Sequence, residues 1–192
     1  LQGFIEYGEK NIPCYLMQGE WYCFDYKSES ILQKEFKERY DAEKTIVNEI
    51  KEKFSLTADN KTENDYNDDF FERDDVINAH RSNIHNVEIA DLIFWDEENI
   101  YLMCNKSKFN AEGSRDLTNQ MWVSANYLQI QLRSNNRDDF LEEYYDCISK
   151  RYLNEKNIVL PIKKEEFKNA FKKNKVYIAG YMESYSPKDR KS

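Results

Sequence analysis

Glycine is scarce, long apolar runs are missing, and positive charge is in deficit. Only 5 of the 192 residues are Gly, which argues against a loop-rich or fibrous chain and for helices with solvated faces. No apolar stretch approaches the roughly 20 residues that cross a bilayer, so no transmembrane helix and no membrane partner are expected. The 28 basic residues are outnumbered by 36 acidic ones, for a net charge of -8. That argues against a simple basic nucleic-acid-binding module, because phosphate contacts need clustered Lys and Arg. It does not exclude a metal-dependent enzyme, whose acidic ligands add to the negative count. No internal repeat or low-complexity tract interrupts the chain.

The four cysteines, Cys14, Cys23, Cys104 and Cys147, show neither CxxC spacing nor a Cys/His cluster. A structural zinc site is therefore not expected. If "IPCYLMQGEWYCF" turns at Gln18–Gly19, Cys14 and Cys23 fall opposite each other and a disulfide is geometrically possible. No secretory signal precedes them, so reduced thiols and a cytoplasmic location are expected. The chain begins at Leu1 rather than Met, which points to part of a longer protein whose other domains or subunits are expected partners.

What is abundant is folding material. Hydrophobic residues reach 40% and aromatics 15%, enough for a core with a small appendage. "GFIEYGEKNIPCYLMQGEWYCFDY" alternates and turns like two or three short strands. A long helix follows in "SILQKEFKERYDAEKTIVNEIKEKF", capped at Ser28 or Ser30, with Leu32, Phe36, Tyr40, Ile46, Ile50 and Phe54 at helical spacing. "TADNKTENDYNDD" is a polar loop before a short helix with Tyr66, Phe70 and Arg73 on one side. "DVINAH" leans towards strand. Later come "NAEGS" as a loop and "RDLTNQMWVSANYLQIQL" as a helix with Leu117, Met121, Ser124, Leu128 and Leu132 inward. "DDFLEEYYDCISKRYL" is a helix with acids first and bases last. "NIVLPI" is extended, with Pro161 limiting it to an edge or loop. "KKEEFKNAFKKN" is a helix and "KVYIAGYM" a strand, before a mobile tail. The expected organisation is an N-terminal hairpin and helix over 1–60, a core over 61–182 and the tail over 183–192. Basic residues crowd the C-terminal third (Lys150, Arg151, Lys163, Lys164, Lys168, Lys172, Lys173 and Lys175), as the solvated face of a helix or as a phosphate-facing patch.

The chemistry concentrates in "VEIADLIFWDEENIYLMCNK", residues 87 to 106. Read as a hairpin with "DEEN" as its loop, Trp95 pairs with Ile100 and Asp91 lies opposite Cys104. Lys106 is then the diagonal neighbour of Asp91, within reach of a long side chain. Alternation puts Val87, Ile89, Asp91, Ile93 and Trp95 on one face, apolar except for Asp91. A buried carboxylate is costly unless paired or used. One reading is a plain Asp–Lys ion pair at a sheet edge; another is a different register with one residue exposed. The functional reading is a metal site, with a carboxylate holding Mg²⁺ or Mn²⁺ and Lys106 orienting water or stabilising charge on phosphorus. Glu63 can supply a second carboxylate. Gln120, with Ser124 and Tyr127 along the same side of its helix, can face the site. Acid and Lys on adjacent strands between helices are the layout of restriction-endonuclease-like nucleases of the PD-(D/E)xK type. The helix–strands–helix–strand order also fits that α/β class, a mixed sheet flanked by helices.

The pieces "GFIEY", "YLMQGEWY", "ENDYN", "VEIADLI", "CNK" and "LTNQMWVSANYL", in that order, resemble an uncharacterised, sporadically distributed bacterial protein family found alongside mobile or restriction-type genes. The resemblance covers most of residues 3 to 128. By position it carries the family's acid before a Tyr-Asn pair onto Glu63, with Tyr66 and Asn67. Its strand acid falls on Asp91, its His-x-Lys on Cys104 and Lys106, and its helical Gln on Gln120, with Val123 and Ser124 following. Two departures stand out: Cys104 replaces the family's His, where a PD-(D/E)xK motif expects an acid, and the loop before the helix keeps only Gly113 and Ser114. The resemblance implies a metal-dependent nuclease-like domain acting on DNA or RNA in bacterial defence or mobile-element biology. Glu63 and Asp91 would hold the ion, and Asp91, Lys106 and Gln120 would act in catalysis. The alternative is a catalytically inactive scaffold that binds a partner protein or another part of its parent chain.

Overall fold

The computed structural model describes residues 3–7, 12–17, 20–23, 26–57 and 62–182, which fall into two compact units, Leu1–Ser55 and Leu56–Ser192. The expected mobile tail, the Gln18–Gly19 turn and part of the polar loop after Phe54 lie outside the described residues.

In the first unit, β1 (Gly3–Tyr7), β2 (Ile12–Met17) and β3 (Glu20–Cys23) form an antiparallel meander. Its register sets Cys14 opposite Cys23. The two are disulfide-bonded, with Cα atoms 4.1 Å apart, which corrects the expectation of reduced thiols. Directly opposed residues on antiparallel strands bring two sulfurs within bonding range. α1 (Tyr26–Lys53) is 28 residues long, about 42 Å at the α-helical rise. It begins before Ser28 and Ser30, so neither caps it. Its apolar residues keep helical spacing, yet Phe36 is 79% exposed and Tyr40 and Ile46 are about half exposed. Periodicity alone therefore made the helix legible without identifying what covers its stripe.

The second unit is mixed α/β. Its main sheet has four strands in the order β4 (Ile77–Asn78), β7 (Leu92–Trp95), β8 (Asn99–Lys106), β9 (Asn174–Tyr181). The first three run antiparallel to their neighbours, and β9 joins parallel to β8. Parallel pairing needs a long crossover. Here α3 (Ala111–Arg133), α4 (Arg137–Lys156) and α5 (Lys164–Ala170) supply it and flank the sheet. A separate two-stranded ribbon, β5 (Asn83–Ile84) with β6 (Val87–Glu88), sits between β4 and β7 in sequence.

The hairpin register is as expected, with Trp95 against Ile100. The strand expected from Val87 through Trp95 is instead broken. Val87–Glu88 belongs to the ribbon, and pairing with β8 begins only at Leu92. The reason lies just upstream, where Arg81, His85 and Asn86 take positive φ values of 60°, 50° and 65°. These left-handed residues turn the chain tightly and so break the alternation.

α3 starts earlier than expected, because Asn110 caps it by accepting a hydrogen bond from the Gly113 N–H at 2.7 Å. "NAEGS" is thus the start of the helix rather than a loop. Leu117, Ser124 and Leu128 are buried along the expected stripe. α4 buries Phe140, Leu141, Tyr144, Ile148 and Tyr152 at helical spacing and ends on Asn157 in the left-handed region. The core joins these residues to Ile77, Ile93, Ile100, Leu102, Phe167 and Phe171. At ~25 cal/mol per Å² of apolar surface removed from water, such burial is what holds the sheet and helices together. Much of the basic C-terminal third is engaged internally. Arg151 stacks on Phe71 at 4.6 Å and donates to Asn78 Oδ1 at 2.9 Å. Lys164 pairs with Asp146 and Lys168 with Glu142.

Candidate metal centre

α2 (Glu63–Asp68) opens on a capping box: the Thr62 hydroxyl accepts from the Asp65 N–H, and the Asp65 carboxylate accepts from the Thr62 N–H. This pins Glu63 and Asn64 in the first helical turn. Glu63 meets the end of β8, where its Oε1 lies 3.5 Å from Lys106 Nζ and its Oε2 accepts from the Ser107 N–H at 3.2 Å. Asn64 places its Oδ1 2.8 Å from His80 Nε2.

His80 follows β4. Its backbone N–H and that of Ala79 both donate to the Asp91 carbonyl, at 2.9 and 2.8 Å. This lashes the His80 segment to the residue just before β7. Across it, His80 Nδ1 is 2.8 Å from Asp91 Oδ1 and 3.4 Å from Glu88 Oε1. Asp91 Oδ2 accepts from the Asn105 N–H at 2.6 Å. Glu88 also accepts from the Arg81 N–H and, through Oε2, from Gln120 Nε2 at 3.2 Å. One ligand atom each from His80, Glu88 and Asp91 lies within 4.8 Å of the others, a spacing able to hold a metal ion.

The electrostatics follow from burial and pairing. Burial pulls the His80 imidazole down, but hydrogen bonds and charge from Asp91 and Glu88 outweigh it and raise its pKa to about 9. Both ring nitrogens lie within hydrogen-bond distance of an oxygen, an arrangement that suits the imidazolium, which donates from both. Burial raises the Asp91 pKa against the pull of His80. Glu88 is lowered: its desolvation is outweighed by His80 and the Arg81 N–H. Cys104 is fully buried, and burial followed by the charges of Asp91 and Glu88 pushes its thiol up to about 12. It is neutral and supplies no thiolate. The Tyr144 hydroxyl is buried without a hydrogen-bond partner, and its pKa is raised by burial, then by Glu88 and Cys104.

The donor set of two carboxylates and one imidazole fits a divalent cation. Its imidazole favours Mn²⁺ or Zn²⁺ over Mg²⁺, which prefers oxygen alone. Binding through Nδ1 requires the imidazolium proton to leave. Asp91 is only 3% exposed, and Glu88, whose side chain is 25% exposed, is the most open member of the group.

The residues expected to act are therefore brought near one another with altered partners. Asp91 is at the centre. Glu63 lies outside the three-residue group and meets Lys106 instead. Lys106 pairs with Glu63 rather than diagonally with Asp91, whose oxygens are taken by His80 and Asn105. Gln120 does face the site, through Glu88. His80 and Glu88 escaped the sequence reading. Strict alternation points Glu88 away from Asp91, and only the break in the strand turns it back. His80 lies 11 residues before Asp91, and the "HRSNIHN" turn chemistry between them was the available signal. Comparison of the chain with protein-family models, curated proteins and solved structures returns no match.

Proposed function

We propose that the second unit is a restriction-endonuclease-like, PD-(D/E)xK-type domain that hydrolyses phosphodiesters of nucleic acid with a divalent cation. The observation that carries this is the convergence of Asp91, Glu88 and His80 beside the Lys106 end of β8. The strand meander closed by a parallel fourth strand after helices supports the same class. The resemblance in motif order supports a setting in bacterial defence or mobile-element biology.

In this reading Asp91, Glu88 and His80 hold the ion. Glu88 takes the place left empty by Cys104, from three residues before Asp91 rather than from β8. When bound, the cation supplies Lewis acidity and lowers the pKa of water. Lys106, whose Nζ lies 3.5 Å from Glu63 Oε1, would swing to the phosphoryl oxygens, where its ammonium would stabilise the charge that builds in the transition state. The water oxygen would bond to phosphorus and give up a proton to solvent, the bond to the leaving sugar oxygen would break, and that oxygen would take up a proton from solvent. Gln120 keeps the Glu88 carboxylate turned inward.

The test is cleavage of single- and double-stranded DNA and RNA with Mn²⁺, Mg²⁺ or Zn²⁺, alongside calorimetric titration of each metal. Metal binding and cleavage that both disappear in Asp91→Asn are expected. A second reading, the inactive scaffold, is favoured by one observation: His80 already neutralises Asp91 at 2.8 Å. Metal binding absent at every pH from 6 to 9 would sink the hydrolase and leave the scaffold.

A further inference from the structure

On the opposite flank of α3 from Gln120, a second cleft of about 680 Å³ opens between α3, the start of α4, and β9. Trp122 stands two residues from Gln120, about 200° around the helix. Trp122 and Arg133 from α3, Arg137 from α4, and Lys172, Lys175 and Tyr177 give the cleft its character. None of its described lining residues is Asp or Glu. In a chain with a net charge of -8, four cations facing one space without a carboxylate run against the composition.

The cations there are also underused. Arg133, Arg137 and Lys175 make no ion pair among the described residues, whereas Lys164 and Lys168 nearby are paired with acids. Arg137 Nε is buried without a hydrogen-bond partner among the described residues. Burial, then the charge of Arg137, holds Lys175 below its usual range. Like charges pressed together are relieved by an anion between them. The aromatic component is equally specific. Trp122 is 71% exposed, a flat surface left in water beside the cations, with Tyr177 half-buried nearby.

We infer that this cleft binds single-stranded nucleic acid, with Trp122 stacking on an unpaired base and Arg133, Arg137, Lys172 and Lys175 holding the adjoining phosphates. Cations and an exposed indole together are the equipment of single-strand binders, because a base must leave its stack to meet the ring. The inference rests on the phosphodiester reading of the metal centre for its role, as a subsite that tethers substrate. Its residues are separate from that centre, so the two can fail independently.

The full chain is titrated into fluorescein-labelled oligo-dT and oligo-rU, into a duplex of equal length, and into vesicles containing phosphatidylserine, by anisotropy or co-sedimentation in EDTA. Expected are binding to a single strand that weakens with salt, and about tenfold loss in Trp122→Ala, with Trp122→Phe close to wild type. Arg133→Glu, at an exposed helix end, is expected to weaken binding to a similar degree while circular dichroism stays unchanged. Asp91→Asn is expected to bind as wild type does, which separates the cleft from the metal centre. Where cleavage occurs, the cleft variants raise KM and leave kcat. No binding at low salt would overturn the inference. So would tighter binding to duplex or to vesicles, indifference to Trp122→Ala, or equal weakening by Asp91→Asn.

Discussion

Two acid–base contacts lie close together in the second unit and differ in almost every physical respect. His80 meets Asp91 and Glu88 in a space where the two closest side chains are 9% and 4% exposed, and the contact is 2.8 Å. Lys106 meets Glu63 at 3.5 Å with side chains 28% and 27% exposed. In the first, each charge is desolvated and every oxygen of Asp91 is engaged. In the second, water screens a long contact, and Lys106 can swing without stranding a charge. Buried pairs of the first kind are costly to break by removing one partner, while exposed pairs contribute little. In the proposed reading the difference divides the roles: the buried His80 cluster would be the cage that holds the ion, and the more exposed Lys106 the adjustable group at its edge.

The strongest way to break that comparison is His80→Ala, which leaves Asp91 and Glu88 facing each other without a cation. A loss of about 3–5 kcal/mol is expected by urea unfolding in EDTA, with Mn²⁺ restoring part of it as a replacement charge. A loss no greater than that of Glu63→Gln would show that the cluster is no cage. Next in size is the pH dependence. The folded pKa of His80 is raised to about 9, above its unfolded value near 6.5. Its contribution is thus full below pH ~6.5 and lost as pH rises through about 9, on the order of 2–3 kcal/mol. Unfolding compared at pH 6 and pH 9 in EDTA should show this loss in the wild type and not in His80→Ala.

Gly180→Ala sharpens the comparison from a distance. An added Cβ would lie 2.1 Å from Asn105 Oδ1 and 2.9 Å from Met103 Cε. Asn105 would have to move, breaking its bond to Asn67 and straining its N–H bond to Asp91. About 1–3 kcal/mol is expected, as for other overpacked sites, with weakened metal affinity by calorimetry. The smallest effect on stability belongs to Glu63→Gln, under about 1 kcal/mol. If Lys106 is the adjustable catalytic group, this variant should lower cleavage while leaving metal affinity intact.

Elements with strong local signals were legible in the sequence. α3 and α4 carry an apolar stripe that buries where the 3.6-residue period points, and the hairpin register followed from "DEEN" and alternation. Asp91 was legible as a carboxylate in an apolar run. His80 and Glu88 were not, because their approach depends on three left-handed residues and on hydrogen bonds to the Asp91 carbonyl, neither of which leaves a periodic trace. The Cys14–Cys23 pairing was legible as geometry, and the expectation of free thiols came from compartment rather than from the strands. Lys106 was expected to find Asp91 because a flat hairpin offers no other acid on that face within its reach. The third dimension brought Glu63, from a different helix, closer.

The close approach of Asn105 to Gly180 also fixes a register. β9 pairs with β8 through Lys106 opposite Tyr181, and the Met182 N–H donates to the Lys106 carbonyl at 2.9 Å. Gly180 is the residue in register with Asn105, and a slip of β9 by one position would press Ala179 or Tyr181 against that side chain. Gly180 therefore matches β9 to the one register that leaves room for the Asn105 amide and its bond to Asn67 in α2.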